Sequence, residues 1–136
     1  MRDAIVAMIE ADGTLAGLLT GGVHTGEISR QATPEAFDGN GEVLPCALVR
    51  IEGEAPTGPY PYSTQQFIVV YLYQQSGTDS IDTAVTQLFT LLHRVKLDWT
   101  WECRWVGDVR DIEDEALRCS MTLSRFQITR LREGGG

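Results

Sequence analysis

Apolar positions are densest between Thr64 and Val95, where they predict a strand followed by a helix. Every residue from Phe67 to Tyr73 is apolar or aromatic, and most are β-branched or aromatic, as a strand requires when both of its faces are covered. The break Ser76-Gly77-Thr78-Asp79 supplies turn residues and a side-chain oxygen, from Thr78 or Asp79, to cap the first free N–H groups of a helix. Beyond it Ile81, Val85, Leu88, Leu92 and Val95 recur every three or four residues as one stripe. Burying such side chains is worth roughly 1.5–3 kcal/mol each before entropy is subtracted, so this unit is the predicted core.

On the N-terminal side, Ile5, Met8, Ile9, Leu15, Leu18 and Leu19 have near-helical spacing, with Asp12-Gly13 as a weak point between two short halves. Gly21-Gly22 ends this helix, and Val23 to Ile28 is a short β-compatible arm. Ser29 to Glu42 is rich in turn formers and has no sustained period, which predicts a surface loop. Pro45 to Glu52 alternates as a strand, with Cys46, Leu48 and Arg50 on one face and Ala47, Val49 and Ile51 on the other. Gly53 to Ser63, with three prolines interleaved with Tyr60 and Tyr62, reads as a stiff connection between antiparallel strands.

On the C-terminal side, Lys96-Leu97-Asp98 is expected to turn. Trp99 to Trp105 then alternates strictly, which places three tryptophans and Cys103 on a face expected to pack under a helix. Val106 to Glu115 is expected to be an acidic turn. In the last strand, Ala116 to Leu131, the inward phase runs through Leu117, Cys119, Met121 and Leu123 and then shifts to Phe126 and Ile128, which predicts a bulge or bend near Ser124. Glu133 to Gly136 is expected to be a disordered tail. The sum is a single α+β domain over residues 1–133, a mainly antiparallel sheet of four to five strands with two helices on one face.

Composition narrows the function classes. A chain of 136 residues with 43% apolar and 22% charged residues fits one ordinary globular domain. No apolar run approaches a membrane span, and the N-terminus lacks the apolar region of a signal peptide, so the chain is expected to stay where it is made. Cys46, Cys103 and Cys119 are odd in number and far apart, which predicts reduced, buried thiols rather than a disulfide or a zinc site. A net charge of −8 disfavours binding to nucleic acid or to an anionic membrane. Arg125, Arg130 and Arg132, separated by Phe126, Ile128 and Leu131, read as the solvent face of a strand.

Candidate chemistry is sparse. Asp108, Asp111, Glu113, Asp114 and Glu115 lack the spacing of a calcium loop and read as a solvated turn. His24 and His93 have no ligand or base partner in sequence, and His93 near a helix C-terminus suits the helix dipole. No nucleophile elbow or phosphate-binding loop is present, so no catalytic, cofactor-binding or metal-ligating residue is expected and no enzyme is predicted. Tyr60 and Tyr62, together with Phe37 in the preceding loop, are candidate interface anchors, because aromatic rings carry large contact area at low entropic cost. For the two tyrosines, capping the end of the sheet is the alternative.

Several segments together resemble the tail-terminator, or tail-completion, proteins of long-tailed bacteriophages. They are a first helix ending at Leu15 to Leu19 and leading to Gly22-Val23, a strand opening at Pro45-Cys46-Ala47-Leu48-Val49, and the run Gln66 to Tyr73. Thr78-Asp79 opening the second helix and the closing strand with Arg125-Phe126-Gln127-Ile128 continue the likeness. The resemblance implies a structural virion assembly protein, made in the host cytoplasm and ending in the tail or neck. It would form a ring, commonly of six subunits, that sits on the last tail-tube ring, halts tube growth and meets the head-side connector protein. DNA would pass through the lumen without specific binding, and neither cofactor nor membrane is implied. Another neck connector ring is the alternative within that class. Outside it stand a small enzyme using the acids near Asp111 with a histidine, and a carbohydrate-binding module presenting Trp99, Trp101 and Trp105 together.

Overall fold

The apolar run over 67–73 is flanked by neighbouring strands on both sides. In chain order the elements are α1 (Arg2–Ala11), α2 (Gly13–Leu18), β1 (Val23–His24), a 3-10 turn (Pro34–Ala36), β2 (Cys46–Pro56), β3 (Thr64–Gln74), α3 (Asp79–Leu92), β4 (Val95–Lys96), β5 (Trp101–Asp114) and β6 (Cys119–Arg130). They come from a computed structural model that describes residues 2–56, 64–97 and 101–130. The strands form one sheet in the order β1-β2-β3-β6-β5-β4, in which β1 runs parallel to β2 and the other pairs are antiparallel. The α+β class is as expected. The sheet is mainly antiparallel, as expected, but β1 makes it mixed, and it has six strands and three α-helices among the described residues against the expected four to five strands and two helices.

The helices cover one face. Ile5 and Ile9 of α1, Leu15 of α2 and the α3 stripe Ile81, Val85, Leu88 and Leu92 pack on Val49, Ile68, Val70, Leu72, Phe126 and Ile128. The predicted weak point at Asp12 is a true break. Its carboxylate accepts the N–H of Leu15 at 3.0 Å and so caps α2. Gly22, at φ +87°, turns the chain into β1 in a conformation that side chains rarely adopt.

The other face is covered at one end by the segment from Ile28 to Val43, whose stretch Ser29 to Glu42, expected to be a surface loop, is mostly exposed but buries Thr33 and Ala36. Ile28, Ala36 and Val43 are buried there against Cys46, Leu48, Tyr73 and Cys119. Periodicity misses this packing because the segment buries isolated residues from turns rather than a repeating face.

That second covered face also explains β6. Its pairing with β3 is unbroken from Ser120 to Thr129, so no bulge lies near Ser124. Odd positions Cys119 and Met121 pack in the loop-covered cluster, Leu123 shares that face through its pairing with Tyr71, and even positions Phe126 and Ile128 point to the helices. Two apolar phases in one strand record two buried faces. The pairing shifts fall instead on β2, between Ile51 and Gly53, and on β5, between Trp105 and Gly107 and between Val109 and Ile112.

Three boundaries move. Val95 leaves the helical stripe, because α3 ends at Leu92 and Arg94, at φ 64°, redirects the chain into β4. The expected turn at Lys96 is therefore partly strand. The acidic segment 106–114 is strand too: β5 runs on to Asp114, and the turn is 115–118, where Leu117 N–H donates to the Asp114 carboxylate at 2.8 Å. Charged residues fit this strand because its outer edge faces solvent.

All three cysteines are buried. Burial pushes the Cys46 and Cys103 thiols up to about 12 and Cys119 to about 11, from an ordinary 9.0. The folded protein therefore keeps thiol protons that the unfolded chain releases. The linked stability is fully present below pH 9 and is lost as pH rises toward 12. The midpoint of urea unfolding is expected to fall steadily from pH 9 upward, with a shallower fall in Cys46→Ala; equal slopes in the two proteins would contradict this.

Candidate functional site

Groups capable of chemistry are spread over the molecule rather than gathered. The Asp108 carboxylate accepts hydrogen bonds from Ser124 Oγ at 2.6 Å and Trp105 Nε1 at 2.9 Å. Asp111 and Glu113 border a cleft of about 330 Å³ together with Thr78 and Arg118. Glu27 and Asp114 border another, of about 370 Å³, with Arg30, Arg50 and Tyr73. No histidine lines either cleft.

Each imidazole is tied to backbone. His93 Nδ1 accepts the Trp105 N–H at 3.0 Å, and His24 Nε2 lies 2.7 Å from the Gly21 carbonyl, to which it can only donate. His24 Nδ1 is also 3.7 Å from a Glu35 carboxylate oxygen. Both side chains hold turns in place.

The tryptophan strand divides. Cys103 is buried and Trp101 packs against the helix-face core, as expected. Trp105 departs from the expectation: it passes the end of α3 and is exposed. Its indole meets the Phe89 ring edge-on at 5.3 Å, and Phe89 stacks on His93 at 4.7 Å. Trp99 lies outside the described residues.

The sheet edges are the most distinctive surfaces. Among the described residues β1 pairs only with Ala47 and Leu48, and nothing described pairs with the rest of that edge of β2. On the far side β4 pairs only with Cys103 and Glu102, and no described residue pairs with the outer edge of β5 from Arg104 to Asp114. The large apolar residues most open to solvent among those described lie at these margins: Ile51 on β2, Trp105, Val106 and Val109 on β5, and Phe89 on α3. Of these residues only Trp105 has a binding role in the sequence-based expectations, in the alternative of a carbohydrate platform with Trp99 and Trp101. One signal was available for two of them, since adjacent Trp105 and Val106 break an alternation that otherwise leaves polar residues outward.

Of the anchors named from sequence, Phe37 is half-buried. It bridges to Val43, packs against the cluster on the loop-covered face and lies under the Arg30 guanidinium, 5.1 Å from the ring centre. Tyr60 and Tyr62 fall outside the described residues.

No family model matches the sequence, and no curated protein matches it. Among solved structures it is similar to a chain in the virion of a native gene transfer agent particle, with 12% identity and a TM-score of 0.64. The match covers 96% of this chain and 93% of that one. At that identity the likeness is one of fold, and it extends over nearly the whole of both chains.

Proposed function

We propose that this chain is a structural protein of a phage-like virion, of the tail-terminator kind: a ring that caps the tail tube, stops its growth and joins it to the head-side connector. The observation that carries this reading is the end-to-end fold likeness to a chain of a gene transfer agent virion. The sequence resemblance described above points the same way. The open, apolar-tipped edges of the sheet suit a protein that works by docking on its neighbours. Six copies at −8 each carry about −48 formal charges, and an acidic lumen would repel DNA in transit.

In electron micrographs, the purified protein, alone or mixed with its tail-tube protein, is expected to give ring-shaped particles, and tubes assembled in its presence are expected to stop at a capped end. A chain that stays monomeric and leaves tube growth unchanged would defeat the proposal.

A further inference from the structure

We infer that copies of this chain join side by side, the β4–β5 edge of one docking on the β1–β2 edge of the next, through the two ends of one apolar row. The inference rests on the ring reading above and names its contact. The row is set by register: Ile51 pairs with Ile68, Ile68 with Phe126, and Phe126 with Trp105. Paired residues share a face, so four apolar side chains cross the sheet at one level. The inner two are 0% and 1% exposed, the outer two 42% and 38%. Such a row is completed by its own repeat, with Trp105 of one copy against Ile51 of the next.

Shape agrees with this. β1 blocks the edge of β2 only near its start, at Ala47 and Leu48, and β4 blocks the edge of β5 only near its start, at Glu102 and Cys103. Because β2 and β5 run in opposite directions in the sheet, the two stubs stand at opposite ends of their edges. The β4 stub is level with the open part of β2: Glu54 and Val95 terminate one row through Gln66, Ile128 and Cys103. Each stub therefore faces a recess.

Charge agrees as well. Arg94 and Lys96 flank Val95 on one edge, while Glu52, next to Ile51 and ion-paired with Arg125 at 3.2 Å, lies on the recessed edge. Opposite signs meet across the joint, which favours this register over its alternatives. The pairing shifts at Ile51/Gly53 and Trp105/Gly107 interrupt both edges, so the contact runs through side chains and not through a continuous ladder. Trp105 is held for this by Phe89, Asp108 and His93, the kind of fixed aromatic that anchors interfaces. Two unlike patches that meet head to tail close a ring when repeated about an axis.

The test uses Ile51→Cys and Val106→Cys in separate full-length chains, mixed and treated with a short bis-maleimide. The native cysteines are buried and do not compete. Mixed dimers are expected at least tenfold above homodimers of either variant alone. Ile51→Glu and Trp105→Glu are each expected to abolish particles at concentrations where the parent forms them, with Ile51→Glu retaining the parent circular dichroism and melting temperature. Rings with no mixed dimer, or Ile51→Glu assembling like the parent, would overturn this contact and leave the ring reading standing. A parent chain that neither assembles nor binds tubes would overturn both.

Discussion

Phe126→Ala is expected to lower the free energy of unfolding by about 3–5 kcal/mol, the usual cost of deleting a fully buried aromatic ring and leaving a cavity. For a domain of this size that is roughly a 10–20 °C fall in melting temperature. Among the described residues Phe126 is the largest fully buried side chain, and it sits in the middle of the helix-covered face, paired with Ile68 on one side and Trp105 on the other. Neighbours held in two strands and a helix cannot collapse into the vacated space without breaking register. Urea titration followed by circular dichroism measures the loss. A decrease below about 1 kcal/mol would mean that this face is not the packed core.

The second large effect concerns a polar residue. Gln74→Ala is expected to cost about 2–4 kcal/mol, the sum of a lost helix cap and an orphaned buried N–H group. Gln74, at the end of β3, turns its amide into the start of α3. Its Oε1 accepts the N–H groups of Ser80 and Ile81 at 3.1 and 3.2 Å, and its Nε2 donates to the Ser76 carbonyl at 3.1 Å and to Asp79 Oδ1 at 2.6 Å. Thr78, at the N-cap position, makes no side-chain cap bond. The bond from Gln74 also holds the Asp79 carboxyl below the usual carboxylate range. Thr78→Ala should therefore change stability by less than about 0.5 kcal/mol. If urea titration gave the opposite order, with Thr78→Ala costing more than Gln74→Ala, the cap would be misassigned.

That cap shows where sequence reading stops. Turn residues before Ile81 announce a helix start, and Thr78 or Asp79 is the local expectation for its oxygen. The oxygen instead arrives from the preceding strand, which no short motif encodes. β6 teaches the same lesson in another form. Its change of apolar phase is visible in the sequence, but a bulge and a second covered face produce the same string, and only the packing of Ile28, Ala36 and Val43 decides between them.

Charge was a poor guide to conformation on β5. Four acids within 108–114 read as a turn, yet this stretch pairs with β6 through one irregularity, between Val109 and Ile112. Acidic side chains are compatible with a strand whose outer edge meets water. Trp105 belongs to the same strand and was expected inside with Cys103. Alternation set its face correctly, but the face runs out of cover where α3 ends at Leu92. Of the candidate interface residues, Phe37 stands out in the sequence as an aromatic ring on a loop, and the fold half-buries it against the loop-covered cluster. Ile51 and Trp105, which end an apolar row on opposite edges, could not be paired without the register.

Sequence alone determined the elements whose period is local: the strand over 67–73 and the helix stripe from Ile81 to Leu92 that covers it, the break at Asp12, the alternation of β2, and the α+β class that these imply. Tertiary structure decided the strand order, the parallel entry of β1, the burial of Ile28, Ala36 and Val43 on the second face and the two open edges. Local periods are set by residues a few positions apart and are therefore written in the chain. Strand order and edge exposure depend on contacts between segments tens of residues apart, which follow from how whole faces fit together.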